Sequence, residues 1–228
     1  MQNSKCKICR RLGVKLFLKG ERCLSPKCPM VRRAYPPGLK RKRRIKAVSE
    51  YGKELNEKQR LKNWYNLKER QFRKYVKEVL GKRLRSSRRS PLKGGSLGKE
   101  EDAAALLIKT LESRLDNVIF RLGFANSRTQ AKQLVSHGHF LVNGKLIDAS
   151  SYQVKKGDVI TLKIQKIKEN RVPAERVQNL KNLLKRYKTP RWLELNVEKL
   201  EGKVTGEPTL EEAAPPVEIS AIFEYYSR

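Results

Sequence analysis

Four cysteines lie close together near the beginning of this 228-residue chain, and they restrict its local fold more than any other feature. Cys6, Cys9, Cys23 and Cys28 follow the pattern C-x2-C-x13-C-x4-C. Two close pairs separated by a longer loop give the spacing at which thiolates bind a tetrahedral zinc ion. A segment this short has little apolar surface to bury, so metal binding would supply much of its folding free energy. The pattern predicts one structural zinc ion (Zn2+) held by four thiolates, with no open position for a substrate.

Other uses of the four cysteines remain open at this point. An iron–sulfur cluster also takes four thiolates, and the thiols can also be free. A thioredoxin-like redox pair fits less well, because no βαβ pattern surrounds Cys6 and Cys9. His137 and His139 are too far away in sequence to be counted as ligands. Nearby cations are expected to lower the pKa of the thiols and to balance the charge of a tetrathiolate centre. They are Lys5, Lys7, Arg10, Arg11, Arg22 and Lys27.

The chain shows no sign of export or membrane insertion. Residues 1–11 are polar and basic and lack the apolar centre of a signal peptide. No apolar run approaches the length of a membrane span. We therefore expect a cytoplasmic protein whose cysteines form no structural disulfide.

Charge is distributed unevenly along the chain, whose formal net charge is +30. Residues 194–228 contain eight glutamates against three basic residues, a net charge of −5, which leaves +35 on residues 1–193. Such a surplus opposes compaction unless a polyanion supplies counter-charge, and nucleic-acid phosphates do so most directly. An anionic membrane surface is the alternative. The hydrophobic share of 38% suffices for one or two modest cores but not for a large single-core enzyme.

Two runs of the chain contain basic residues and no acid. Residues 32–46 carry eight basic residues, and residues 82–99 carry seven. With so little apolar surface, both runs are expected to be extended or disordered when alone, either as RNA-binding tails or as solvated linkers. The first run supplies six predicted RNA contacts, namely Arg32, Arg33, Lys40, Arg41, Arg43 and Arg44.

Hydrophobic spacing predicts an α+β fold that is mainly helical. Helices are expected at 49–63, 68–80, 102–122, 127–138 and 173–187, and Ser127 and Gln130 fit a capping box. Strands are expected at 140–142, 146–147, 159–164, 193–197 and 217–219, with an Asn143-Gly144 hairpin turn and a loop over 205–216. The predicted domains are a zinc knuckle with a basic extension (1–48), a helical domain with a basic insertion at about 82–100 (49–112), an RNA-binding domain (113–175) and an acidic C-terminal part (176–228).

Residues 113–158 resemble a known motif. The segments SRLDNVIFRLGFA from Ser113, SRTQAKQLV from Ser127, HGH from His137, VNGK from Val142 and VKKGD from Val154 are similar to the alpha-L RNA-binding motif. Four cations at helical spacing are expected to face one RNA strand or groove, although they can also be solvated helix faces: Arg114, Arg121, Arg128 and Lys132. RNA helices are recognised largely through backbone, shape and 2′-OH contacts. Further predicted contacts in this unit are Gln130, His137, His139, Asn143, Lys145 and Lys155.

The remainder of the chain narrows the resemblance to one family. The cysteine knuckle, VKLFLKGER from Val14, YPPG from Tyr35, ERQFR from Glu69 and the closing FEYYSR resemble the zinc-bearing form of the bacterial S-four family of small-subunit ribosomal proteins. The resemblance covers about 1–80, 106–200 and the last seven residues. It adds Arg70 and Arg73 to the predicted RNA contacts. The insertion at about 82–105 is longer and more basic than the family pattern.

The resemblance implies a primary binder of small-subunit ribosomal RNA that docks on the 5′ domain, helps to nucleate assembly and contributes to translational accuracy. It also implies contacts with ribosomal protein S-five and with messenger RNA near the entry path, autoregulation in some members, and no small-molecule substrate. The expected location is the cytoplasm, in the small ribosomal subunit.

Two other function classes are alternatives to this interpretation. An RNA-modifying enzyme with an appended alpha-L unit is the main alternative, because Arg114-Leu115-Asp116 is similar to a catalytic triplet of some pseudouridine synthases. The residues expected after that aspartate are missing, and no segment is long enough for a second catalytic domain. A zinc-containing DNA-binding regulator is the third, but the finger spacing is absent. We expect no enzyme activity.

Overall fold

A computed structural model describes residues 5–38, 47–89, 96–163, 174–185 and 187–227, with the side chains of 82–102, 174–177, 179 and 180 excluded. The chain divides into two compact units. Unit 1 contains residues 1–107 together with 214–228, and unit 2 contains residues 108–213. Helices predominate and one small antiparallel sheet is present, so the predicted α+β, mainly helical class is confirmed. Within the described ranges, no helix has the length and apolar character that crossing a membrane requires.

Unit 1 begins with three short helices around the cysteines. They are α1 (Lys5–Leu12), α2 (Glu21–Leu24) and α3 (Pro29–Arg32). Cys9, Leu16 and Leu18 form a small buried cluster, and Trp64 of a later helix is among the residues packed against it. The segment thus has a core of its own, although a very small one.

Longer helices form the rest of unit 1. They are α4 (Glu50–Trp64), α5 (Glu69–Arg89), most of α6 (Ser96–Glu112, of which residues 108–112 belong to unit 2) and α11 (Ile219–Ser227). Ser49 caps α4 by accepting a hydrogen bond from the amide of Gly52. The helices α5 and α6 include residues 82–89 and 96–99, so the expectation that the second acid-free run is extended or disordered when alone is wrong for those residues. The helix α5 buries Phe72, Val76 and Val79 at helical spacing before it continues into that run.

The helix α11 closes unit 1 by packing against α4 and α5. Lys58 of α4 is 4% exposed, and its Nζ lies 2.9 Å from Oε1 of Glu69 and 4.3 Å from the centroid of the Tyr225 ring. The hydroxyl of Tyr226 donates to the same Glu69 oxygen at 2.9 Å. The strand expected at 217–219 is wrong. The helix α11 begins at Ile219, and it buries Ile219, Ile222 and Phe223 at helical spacing.

Unit 2 contains a helical pair and the sheet. The elements are α7 (Leu115–Arg121), α8 (Arg128–Ser136), β1 (Phe140–Val142), β2 (Lys145–Leu146), β3 (Val159–Leu162), α9 (Ala174–Lys185), β4 (Leu193–Asn196), β5 (Glu201–Val204) and α10 (Leu210–Ala213). The sheet is antiparallel with strand order β2-β1-β3-β5-β4, and Val142 faces Ile160 in its register. The predicted hairpin is present, and Asn143 and Gly144 have φ of 49° and 77°, as a tight turn requires.

Two expectations about unit 2 were wrong. The helix expected over 102–122 is interrupted, because α6 ends at Glu112 and Arg114 forms a β-bridge with Gln153. The amides of Leu115 and Val154 complete that connection by donating to Tyr152 and Ser113 carbonyls, at 2.8 Å each. The loop expected over 205–216 contains the short helix α10.

Candidate nucleic-acid interface

The four cysteines come from three neighbouring elements of unit 1. Cys6 and Cys9 lie on α1, Cys23 lies on α2 and Cys28 caps α3. All four line one small cavity, which Lys5, Lys15 and Lys19 also line. The amide of Lys19 donates to Sγ of Cys23 at 3.4 Å, a type of bond that stabilises a thiolate. Four thiols around one cavity are a donor set that fits zinc.

The cysteine side chains are not arranged in this structure as ligands of a metal ion. Across the described residues, no three His, Cys, Asp or Glu side chains are grouped so that they could hold a metal ion as they are placed. Burial raises the pKa of the Cys9 thiol, and the other three cysteines raise it further. The expectation that nearby cations lower the thiol pKa is therefore wrong for Cys9. The zinc ion itself stays a prediction.

Several predicted RNA contacts of unit 1 are accessible. Arg32 and Arg33 are exposed at the end of α3, and Arg70 and Arg73 are exposed on α5. The other four predicted contacts of the first acid-free run lie outside the described residues: Lys40, Arg41, Arg43 and Arg44. Unit 1 thus presents basic side chains at two separate places.

Arg114 in unit 2 is not accessible. It is 1% exposed, and its Nε and Nη2 donate to the two carboxylate oxygens of Asp116 at 3.0 and 2.7 Å. Nη2 also approaches the carbonyl of Ser150 at 3.4 Å. The prediction that Arg114 contacts RNA is wrong, because a buried guanidinium held by a carboxylate cannot reach a phosphate. The same ion pair occupies Asp116, the residue on which the enzyme alternative depended.

A buried carboxylate organises the neighbouring cations. Glu112, at the end of α6, is 0% exposed and accepts hydrogen bonds from Nε and Nη2 of Arg121 at 2.9 Å each. Arg121 also donates to the carbonyl of Ala213 at 3.1 Å. Asn117 donates to Glu112 and accepts from Nε of Arg128 at 2.7 Å. These contacts join α6, α7, α8 and α10 in one polar network.

Arg121 and Arg128 keep only part of their surface. Their side chains are 19% and 10% exposed, and the guanidinium of Arg128 lies 4.6 Å from the centroid of the Phe120 ring. Contact with RNA through their exposed edges stays a prediction for both. Sequence reasoning missed Glu112 and Asn117. The available signal was a carboxylate at position 112, four residues after Ile108 on the apolar stripe of its helix.

The more accessible candidates of unit 2 surround α8 and the hairpin. Ser127 caps α8 by accepting from the amide of Gln130, and the Gln130 side chain accepts from the amide of Asn126 at 3.0 Å. The predicted capping box is present except that its return bond reaches one residue further back. Asn143 bridges to Asp158 at 2.8 Å and to the amide of Val159 at 2.9 Å, so its side chain holds the turn. Basic residues and histidines with exposed or half-exposed surface are Lys132, His137, His139, Lys145 and Lys155.

Comparison with known proteins matches both units to described domains. Residues 1–93 match the Ribosomal protein S4/S9 N-terminal domain, and residues 113–160 match the S4 domain. The chain is 42% identical over 227 residues to small ribosomal subunit protein uS4 of Natranaerobius thermophilus, covering 100% of this chain and 98% of the relative. It is 46% identical to uS4A of Clostridium botulinum and 43% identical to uS4 of Thermus thermophilus, each over 98% of this chain and 96% of the relative.

Proposed function

Because the chain belongs to the family of small ribosomal subunit protein uS4, we propose that it is a structural protein of the small ribosomal subunit that binds the subunit's RNA. The observation that carries this proposal is the presence of both family domains in one chain, over 1–93 and 113–160. The family consists of structural ribosomal proteins rather than enzymes, and this chain aligns with its relatives over nearly their whole length. The protein accordingly acts in the cytoplasm, within the ribosome.

The geometry of unit 2 supports binding to a folded RNA. The network around Glu112 fixes α7 and α8 to each other, so cations on their surface keep a constant spacing. Lys132, Lys145 and Lys155 then contact phosphates of one RNA surface. His137 and Asn143 lie at turns and contact the sugar–phosphate backbone or 2′-OH groups of the RNA. A rigid arrangement of this kind recognises RNA shape at a small cost in side-chain entropy.

Unit 1 supplies the second anchor in this proposal. Phosphates are bound there by Arg32, Arg33, Arg70 and Arg73. Cys6, Cys9, Cys23 and Cys28 would hold a structural zinc ion, which supplies the cross-link that fixes α1, α2 and α3 together when it is bound. The apolar cluster that these helices share has three buried members among the described residues. A core this small makes an additional cross-link useful for stability.

The finer roles follow from the family resemblance. The protein docks early on the 5′ domain, helps to nucleate assembly, lies near the messenger entry path and contributes to decoding accuracy. A contact with ribosomal protein S-five rests on the resemblance, and exposed carboxylates of Glu194 and Glu198 on and after the edge strand β4 are available for it, beside the cations Lys199 and Lys203.

The proposal is tested by filter binding of the full chain to two transcripts of equal length, one of the 5′ domain and one of the 3′ domain. Tight binding to the 5′ domain alone is expected, with an affinity that falls linearly with the logarithm of salt concentration. Equal affinity for both transcripts would refute a 5′-domain site while leaving general RNA binding intact. Loss of binding to both would contradict the proposed function itself.

A further inference from the structure

An exposed aromatic ring lies beside the cysteine cavity on an unusual backbone. Phe17 is 45% exposed, whereas its neighbours Leu16 and Leu18 are 2% and 8% exposed. Its φ is +51°, a region that large L-residues rarely adopt. The two leucines fix the segment in the small core of unit 1, and the strained residue between them presents its ring to solvent. Strain of this kind is retained mainly where it serves a function.

The surroundings of this ring are strongly basic. Residues 5–33 contain ten lysines and arginines and a single acid, Glu21. The Nζ of Lys15 lies 5.8 Å from the centroid of the Phe17 ring. Lys15 and Lys19 also line the cysteine cavity, so Lys15 lies both at that cavity and beside the ring, and Lys19 follows Phe17 by two residues. An aromatic face surrounded by flexible cations matches a nucleotide, which offers a planar base beside a phosphate.

We propose that Phe17 stacks on an unpaired base of small-subunit RNA while Lys15 and Lys19 contact adjacent phosphates. This deepens the proposed function and rests on RNA binding by the chain. Every base offers a π-face, so stacking needs an unstacked nucleotide but no particular sequence, as in a loop or bulge. The excess of cations favours RNA over a protein partner. The preferred ligand is therefore a single-stranded element, in contrast to the folded surface that unit 2 contacts.

Two substitutions at position 17 separate this role from a structural one. Phe17→Gly removes the ring and relieves the positive φ, so thermal stability should stay within a few degrees of the parent protein. Affinity of the full chain for protein-free small-subunit RNA should nevertheless fall about 10-fold, the scale of one lost stacked base. Phe17→Tyr keeps an aromatic face and should retain the parent affinity. The salt slope should stay unchanged in both, because no phosphate contact is removed.

Leu24→Ala is the matched control, since Leu24 is 74% exposed in the same segment and has no aromatic face; its affinity should equal that of the parent. The proposal is overturned if Phe17→Gly binds RNA as tightly as the parent protein, or if Phe17→Tyr is as weak as Phe17→Gly. It is also overturned if Phe17→Gly instead loses binding to another ribosomal protein. If the parent protein fails to bind the RNA at all, the proposed function fails, which is a distinguishable result.

Discussion

At the scale of single residues, burial decides which cations can meet RNA. Arg114 and Lys132 both lie in the matched S4 domain and both carry a positive charge. Arg114 is 1% exposed and ion-paired to Asp116, whereas Lys132 is half-exposed on α8. A sequence shows the spacing of the two residues but not which of them lies inside. That difference depends on the β-bridge between Arg114 and Gln153, which joins positions far apart in the chain.

Paired substitutions at these two positions should separate the two roles. Lys132→Ala should weaken RNA binding and reduce the salt slope by about 1, because one phosphate contact is lost, with little change in melting temperature. Arg114→Ala should leave Asp116 buried without a partner and destabilise the protein by about 3 kcal/mol. Filter binding over a salt series and urea unfolding measure the two effects. An unchanged salt slope in Lys132→Ala would show that this lysine is only solvated.

Burial also gives an acidic residue, Glu112, a structural role. Glu112→Gln should destabilise the protein by about 3 kcal/mol, because the half-buried guanidinium of Arg121 loses its charged, fully buried partner. The exposed Glu211→Gln serves as the control and should unfold like the parent protein. Urea unfolding measures both variants. If the urea unfolding curve of Glu112→Gln coincides with that of the control, the hydrogen-bond network around Glu112 contributes no net stability.

At the scale of elements, local patterns predicted most helices, and tertiary contacts account for the errors. The helices α4, α5, α8 and α9 and the Asn143-Gly144 hairpin follow from periodicity, caps and turn residues. The interruption after Glu112 could not be predicted, since the apolar stripe continues through it. The helix α11 was mistaken for a strand because alternation over 217–219 is too short to distinguish the two periods.

The Glu69 carboxylate, which Tyr226 of α11 contacts, should make the stability of the folded protein decrease at acid pH. Burial alone would raise the pKa of Glu69, but hydrogen bonds from Lys58, Lys62 and Tyr226 outweigh it and lower the pKa to about 2. A lowered folded-state pKa stabilises the protein above the unfolded value, near 4.5, and this stability is lost as the pH falls toward 2.

Glu69→Gln should therefore be less stable than the parent protein at pH 6, and the difference should shrink between about pH 4.5 and pH 2. Thermal melts across that range measure it, and the exposed Glu78→Gln is the control, because its carboxylate lies 3.8 Å from Lys74 on the surface. A constant difference between Glu69→Gln and the parent at all pH values would contradict the assignment. Solvent exposure of Glu69 keeps the expected effect modest.

At the scale of the whole molecule, the two units should respond separately to loss of the proposed zinc ion. Cys9→Ser should lose bound zinc, from about one ion per chain, and unfold the α1–α3 segment while the S4 domain stays folded, since that domain lies in unit 2. Metal analysis and amide hydrogen exchange measure the two effects. Lys27→Ser changes a neighbouring exposed side chain and should keep both. Retained zinc in Cys9→Ser would refute the four-thiolate centre.

Unit 1 is assembled from both ends of the described chain, and this affects how it is made. Residues 219–227 form the helix α11, which packs against α4. They leave the synthesising ribosome after every residue of unit 2. During translation, unit 2 can fold as soon as it emerges, whereas unit 1 waits with the partners of Ile222 and Phe223 exposed. A chain truncated before residue 219 would lack the helix that packs on α4 and α5, and chaperones and proteases recognise surfaces left uncovered in this way.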